Sequence, residues 1–439
     1  MRKFLFTLFA LFAFGTGLSA QGGKEPSAQG GTGLSAQGKV VLTMGDNHPD
    51  RTSGMGLVFQ TLINDYKAAN PNVDIQVESY PDDTWHQKVK IYVTAGKLPD
   101  INIFYSFAGD FKPVIDAGFV KELNRNTYEK FGFLPGALDS NVYNGKLYGV
   151  PKTTDAYVVY YNKKLFNDAG IAEVPATLDE LKAMIPKFAA KGIIPMVTNG
   201  KDSWPLSGMY DLLVQRISGN WDIRKDAIAH RGKFTDPTFL QAAQLLRDMT
   251  TSWGLFPNDL MLLDYGAARN LFGQGRAAMY FMGTWEVGLA SDMNFPEEFR
   301  SNVDAFKFPA INGGKGSVDD LMAWYGANIF VNNKGENVDA SLKFLEYICA
   351  RWPVTAWEKQ AGFPAQKVTA RASDTQLAQT LLKIIGDAKT TSGSPTLDSI
   401  NSQFSTDMNN AIGALCARIT TPEAFCAKLE AASVKATQK

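Results

Sequence analysis

From Val40 onward the apolar residues follow two alternating periods. Val40 to Met44 is a short apolar run, as in a strand covered on both faces. Between Leu57 and Ala69 the apolar residues fall at positions 58, 59, 62, 63 and 66, the spacing of one helix face, and Asn70 and Pro71 stop the pattern. Val73 to Glu78 alternates strictly, Asp83 to Ala95 reads as a helix, and Ile101 to Tyr105 reads as a strand. Strand, helix, strand, helix, strand in that order predicts a parallel sheet covered by helices, an α/β fold.

A second module begins near Gly149, Val150 and Pro151. Tyr157 to Tyr161 is an apolar run. Thr177 and Glu180 have capping-box spacing ahead of a helix that Pro186 should kink. Asp236 and Pro237 open another helix, whose face is Phe239, Ala242, Ala243, Leu246, Met249 and Trp253, and Gly254 should end it. Ala277 to Met282 is a strand leading into Gly283, Thr284 and Trp285. Asn328 to Val331 is a strand and Ala340 to Trp352 a helix. The remaining C-terminal residues read as helices punctuated by Pro353, Pro364, Pro395 and Pro422.

Upstream of this pattern the chain carries an export signal. Arg2 and Lys3 precede a stretch from Phe4 to Phe14 that is apolar apart from Thr7, too short to span a bilayer as a mature helix. Leu18, Ser19 and Ala20 suit cleavage before Gln21, so residues 1–20 read as a signal peptide and the mature protein as exported, which the resemblance described below implies to be a free periplasmic form. Residues 21–38 repeat a Gly, Ser, Ala and Gln pattern that cannot bury enough apolar area to order itself, and they read as a flexible tether. Gly33 to Lys39 imitates a phosphate loop, but Val40 stands where Ser or Thr is needed and no strand precedes it.

Composition narrows the function. Lys+Arg and Asp+Glu are both 44, so no basic excess drives nucleic-acid binding. Three His and three Cys leave little from which to build a metal centre, and no cofactor is expected. Cys416 and Cys426 stand on either side of an expected helix–turn–helix, where they can either form a disulfide or serve as small buried apolar groups, as can Cys349. Aromatic residues make up 12% of the chain, enough to put rings outside the core.

Several segments, in this order, resemble the family 1 extracellular solute-binding proteins, the sugar-receptor subunits of ABC importers. They are Phe59 to Tyr66 followed by Ala69 to Val73, Gly96 to Ile101, Asn144 to Pro151, Tyr160 to Lys163, Leu165 and Phe166, Gly170, Pro175 to Thr177, Leu271 to Met279, and Gly283 to Trp285. The resemblance implies a type II periplasmic-binding-protein fold, two α/β lobes hinged around a cleft. It also implies a carbohydrate ligand, permease subunits of an importer as partners, a monomer, and no catalysis. No Cys lies near the cleavage point, so the sequence departs from lipid-anchored members. Crossings between lobes are expected near 150–153, 308–310 and 352–364. Lobe 1 is then 39–151 plus 310–355, and lobe 2 is 152–309 plus 356–439.

Sugar recognition needs carboxylates and amides for hydroxyls, and aromatic faces for C–H groups. In open α/β sheets such groups belong where strands exit. Asp46 and Asn47 follow the first strand, Tyr105 and Ser106 the third, and Asp155 the first crossing. Trp204 lies in a polar loop after an expected strand. Trp285 follows a buried strand, with Glu286 beside it, and the family places a ligand-contacting aromatic near here. Trp324, Tyr325 and Gly326 precede the strand at Asn328, and Phe363 lies near the third crossing. Tyr80 and Trp85 read as structural. Two other readings compete. One is a non-sugar solute in the same fold, such as a polyamine, glycerophosphodiester or peptide. The other is a secreted glycoside hydrolase using Asp155 and Glu286 as a carboxylate pair.

Overall fold

The computed structural model describes residues 38–106, 108–393 and 401–437. The export signal and all of the tether but its last residue lie outside them. The first module builds β1 (Val40–Asp46), α1 (Gly54–Ala69), β2 (Val73–Ser79), α2 (Asp82–Ala95) and β3 (Ile101–Phe104). It then reaches β4 (Val150–Pro151), and the chain enters the second module at β5 (Thr154–Asn162). There follow α3 (Leu178–Ala189), β6 (Ile194–Val197), α4 (Trp204–Ser218), α5 (Pro237–Thr251), α6 (Tyr265–Gly273), β7 (Ala277–Gly283), β8 (Val303–Phe306) and β9 (Ala323–Tyr325). Next come β10 (Asn328–Val331), α7 (Val338–Glu358), α8 (Gln376–Gly386), α9 (Ser402–Cys416) and α10 (Pro422–Thr437).

The first sheet has the order β2-β1-β3-β10-β4. β1 runs parallel to β2 and β3, as the strand–helix alternation predicts, while β10 returns antiparallel to β3 and β4. Alternation along β10 fills both faces. Ile329 and Val331 join Leu42, Phe59 and Phe344, whereas Phe330 joins Trp85, Val89 and Phe111. Trp85 is therefore structural, its indole donating to the Ile103 carbonyl at 2.6 Å.

The second sheet has the order β8-β5-β7-β6, and β9 pairs with the start of β5. Along β5, Tyr157 and Val159 face a core with α3, α4, α5, α9 and α10, while Ala156, Val158 and Tyr160 face one with α6 and α8. The capping box opens α3, with the Thr177 hydroxyl accepting from the Glu180 amide and the Glu180 carboxylate accepting from the Ala176 amide. The helix continues through Pro186 to Ala189. Among the described residues no helix is long and apolar enough to cross a membrane.

The chain passes between the sheets at Lys152–Thr153, at Gly326–Ala327, and after Trp357. The second of these corrects the expected position near 308–310. Residues there stay with the second sheet, because the Arg216 guanidinium holds the carbonyls of Phe308, Pro309 and Asp320, and β9 then pairs with β5. Part of the segment assigned to lobe 1 thus packs with lobe 2. The three passages are hydrogen-bonded to one another. Lys152 N–H donates to the Ala327 carbonyl and Gly326 N–H to that of Thr153, both at 2.8 Å. Thr154 N–H donates to the Phe363 carbonyl at 2.7 Å and Ala365 N–H to that of Lys152 at 3.2 Å.

All three cysteines are free and buried. Cys416 and Cys426 lie in one core, so the apolar alternative holds and the disulfide does not form.

Gly45 tests the packing of the first sheet. A Cβ there would stand 2.0 Å from the buried Trp85 ring. Gly45→Ala is expected to cost about 1–3 kcal/mol, measured as a lower urea midpoint with an unchanged slope.

Candidate functional site

Five aromatic rings meet at the edge of the second sheet, on elements far apart in sequence. Tyr157 is supplied by β5, Trp204 by the first turn of α4, Trp285 by the segment after β7, and Trp324 by β9. Tyr157 is the hub, with ring centroids 5.6 Å from Trp324, 5.8 Å from Trp285 and 6.4 Å from Trp204. Trp285 is 5.9 Å from Trp204 and 6.1 Å from Trp324. Tyr265, the first residue of α6, stacks on Trp204 at 6.4 Å. Tyr157 is buried, but Trp204, Trp285 and Trp324 remain half-buried, and so does Tyr265.

Local sequence explains the convergence. Tyr157 lies opposite Gly283 in the β5–β7 register, and Trp324 lies opposite Asp155 in the β5–β9 register. At Gly283 any Cβ would fall 2.0 Å from the Trp285 ring, so the indole folds back over its own strand only because glycine is there. Gly208 does the same for the ring of Tyr157, at 2.6 Å.

Glu286 does not face outward beside Trp285. It is buried, accepting from the Tyr265 hydroxyl and from Arg269 Nε at 2.9 Å, and Arg269 also reaches Asp292 at 2.9 Å. Burial, and next the Glu286 carboxylate, push the Tyr265 phenol well above its ordinary range. Arg269 therefore belongs to a network behind the platform, and each Glu286 oxygen has a donor in it.

The first lobe supplies polar groups at the ends of β1 and β3. Asp46 is fully buried, accepting from the His48 amide at 2.9 Å and from Arg51 and Ser79. Asn47 and Tyr105 both donate to Asp82. Ser106 donates to the Gly326 carbonyl at 3.1 Å, and Tyr325 reaches back to the Pro135 carbonyl at 2.7 Å. Gly326 is required where it stands, since a Cβ would lie 2.0 Å from the Asp155 carboxylate. Phe363 is buried against Trp357 in the second lobe's core, and its ring offers a ligand no surface, contrary to expectation. Its backbone carbonyl serves the hinge instead.

At the first passage, Asp155 accepts from the Thr153 hydroxyl at 3.1 Å through one oxygen, while the other is buried with no partner among the described residues. Burial raises its carboxyl to about 6, against the pull of Lys152 and the Thr153 hydrogen bond. Lys152, also buried, places its amine 2.8 Å from His48 Nε2. Sequence reading missed Lys152, His48, Asp82, Tyr157 and Tyr265 as parts of the site. A tyrosine inside an apolar strand and a lysine inside a crossing look like core and surface until the register is known.

Comparisons with known proteins agree with this architecture. The sequence profile described as bacterial extracellular solute-binding protein matches residues 51–349. The multiple sugar-binding protein of Streptococcus mutans is 22% identical over 75% of this chain and 77% of its own length. The maltotriose-binding protein of Pyrococcus abyssi is 24% identical over 54% of this chain and 48% of its own length, so this chain spans only about half of some relatives it matches. A solved structure from work on xylan utilization by the thermophilic bacterium Caldanaerobius polysaccharolyticus is 28% identical, with TM-score 0.82 over 89% of this chain and 99% of that one. A chitin oligosaccharide binding protein is 23% identical, with TM-score 0.81 over 91% of this chain and 100% of that one.

Two stability measurements test the site's electrostatics. The folded-state value of Asp155 lies above the ordinary 3.8, so the folded protein keeps a proton that the unfolded chain releases, and stability is lost as pH rises from about 4 to about 6. Asp155→Asn is therefore expected to raise stability at pH 7 by on the order of 1–3 kcal/mol and to leave it unchanged at pH 3, read by thermal melts at both pH values. Arg269→Met leaves the Glu286 carboxylate without its cation. The expected loss is about 2–4 kcal/mol, accompanied by altered near-UV circular dichroism from the tryptophans.

Proposed function

Because the chain belongs to the family of bacterial extracellular solute-binding proteins, we propose that it is a periplasmic receptor that binds a carbohydrate between its lobes and delivers it to the permease of an ABC importer. The observation that carries this reading is the convergence of Trp204, Trp285 and Trp324 around Tyr157 at the edge of the second sheet. Pyranose rings present C–H groups on their faces, and indole faces take them up while removing about 150–250 Å² of ring surface per aromatic from water. The hydroxyls on the sugar's rim need directional acceptors and donors, and the polar groups of the first lobe stand across the crossings from the platform. Asp155 offers an unpaired oxygen, while Tyr325 and Ser106 bind the opposite lobe and the passage itself. The names of several relatives, among them a multiple sugar-binding protein and a maltotriose-binding protein, point to the same ligand class.

In this reading the two lobes close on the sugar about the three hydrogen-bonded passages. Closure is driven only by contacts that the ligand makes better in the closed form than in the open one. The closed surface then becomes what the permease recognises. The hydrolase alternative would pair Asp155 with Glu286, and both Glu286 oxygens are engaged by Tyr265 and Arg269.

Thermal-shift screening of neutral mono- and oligosaccharides, with a polyamine and a glycerophosphodiester as controls, tests the ligand class. Stabilisation by at least one sugar and by neither control is expected. A response to the polyamine alone would end the carbohydrate reading. With the sugar so identified, Trp204→Ala, Trp285→Ala and Trp324→Ala are each expected to weaken binding about tenfold or more in calorimetry, consistent with losing ~1.4 kcal/mol or more per ring.

A further inference from the structure

Helix α6 brings two side chains onto one carboxylate. Tyr265 and Arg269 stand four residues apart, so they project from the same face of the helix, one turn from each other. The Tyr265 hydroxyl donates to Glu286 Oε1, and Arg269 Nε donates to Glu286 Oε2 at 2.9 Å. Arg269 continues to Asp292 through Nη2 at 2.9 Å, and its guanidinium lies over the Phe295 ring, 4.8 Å from the centroid. Glu286 is only 4% exposed. A carboxylate buried this deeply needs both donors, and losing either one is costly. The start of the helix is fixed as well, because the Asp264 side chain accepts from the Ala267 amide at 2.9 Å as the N-cap.

This network adjoins two of the three tryptophans. Glu286 directly follows Trp285, in a turn where its own backbone departs from helical angles, with φ −88° and ψ 16°. Gripping the Glu286 carboxylate therefore fixes the turn that carries the Trp285 indole. The Tyr265 ring stacks on Trp204 at 6.4 Å with 27° between the planes, and Trp204 lies 5.9 Å from Trp285. Burial and the Glu286 carboxylate raise the Tyr265 phenol well above its ordinary range, while Arg269 and the Trp285 side chain oppose that rise. The phenol thus stays neutral at ordinary pH and keeps its proton for Glu286. A half-buried indole otherwise has side-chain freedom to lose when a ligand settles on it, and that loss weakens binding.

We propose that Tyr265 is a positioning residue for ligand binding, holding Trp285 through Glu286 and Trp204 through ring stacking, so that the ligand meets both indoles already oriented. Its one hydroxyl proton is committed to Glu286, which argues against a direct donation from the phenol to the ligand. Arg269 and Asp292 anchor the same carboxylate from the far side. The ligand class rests on the carbohydrate reading given above, whereas the ordering of the indoles can be read with no ligand present.

The experiment is calorimetry on the full-length mature protein, on Tyr265→Phe, on Trp285→Ala and on the double variant. The probes are glucose, xylose, maltotriose, xylotriose and chitotriose. Tyr265→Phe keeps the ring and removes only the hydroxyl. It is expected to weaken the sugar that binds about 3- to 10-fold when Trp285 is present. In the Trp285→Ala background the further loss should be small, because the effect passes through that indole. An equal loss in both backgrounds would mean that the phenol contacts the sugar itself, and it would overturn the proposal, as would no loss at all. Near-UV circular dichroism of the unliganded proteins is the second readout. The tryptophan bands of Tyr265→Phe should weaken while the far-UV signal stays the same, and unchanged bands would refute positioning. Should Tyr265→Phe fail to fold, fluorine NMR of the unaltered, unliganded protein labelled with fluorotryptophan decides instead. Narrow lines for Trp204 and Trp285 before any sugar is added are expected, and lines that are broad until sugar sharpens them would refute the proposal. If none of the sugars binds, the carbohydrate reading fails, while the near-UV bands still decide whether Tyr265 orders the indoles.

Discussion

The structure depends on a handful of backbone hydrogen bonds that tie three separate passages into one strip. Lys152 and Thr153 pair with Gly326 and Ala327 on one side and, with Thr154, reach Phe363 and Ala365 on the other. Each lobe has its own sheet and its own pair of apolar cores, so each is stable as a body on its own contacts. Small changes of backbone angle in the strip can rotate one lobe against the other without disturbing either core, which is the geometry of hinge motion.

Placing charged side chains at that strip has an energetic consequence. Lys152 and Asp155 are buried, and burial works against the charged form of each. A protein selected only for stability would put apolar residues there. These polar groups therefore cost stability where they stand. The Glu286 network follows the opposite logic. Its carboxylate accepts from Tyr265 and Arg269, and Tyr265 in turn stacks on Trp204.

Much of the fold was legible because its signals are local. Strict alternation at Val73 to Glu78, the capping box at Thr177 and the helical period before Asn70 each specify an element without help from the rest of the chain. The second passage was not legible. Pro309 looks like a boundary, but a buried arginine more than ninety positions earlier holds that segment against the second lobe, and such a contact leaves no local trace. The tryptophans could be singled out because large rings in polar loops are costly unless used. Their hub could not, since Tyr157 sits in an apolar strand and owes its role to pairing opposite Gly283. Glu286 looked like a cleft carboxylate from its neighbours in sequence, yet the chain turns after Trp285 and buries it.

That turn also bears on what glycoside hydrolysis would require of these residues. Breaking a glycosidic bond needs two carboxyl groups facing the same bond, one protonated and one free to act as base or nucleophile. Burial raises the Asp155 carboxyl to about 6. The other carboxylates around it are committed. Asp46 accepts from three donors, Asp82 from Asn47 and Tyr105, and Glu286 from Tyr265 and Arg269. Their hydrogen bonds fix the orientation of neighbouring side chains, so the polar groups at the ends of β1 and β3 are held in place by the protein itself.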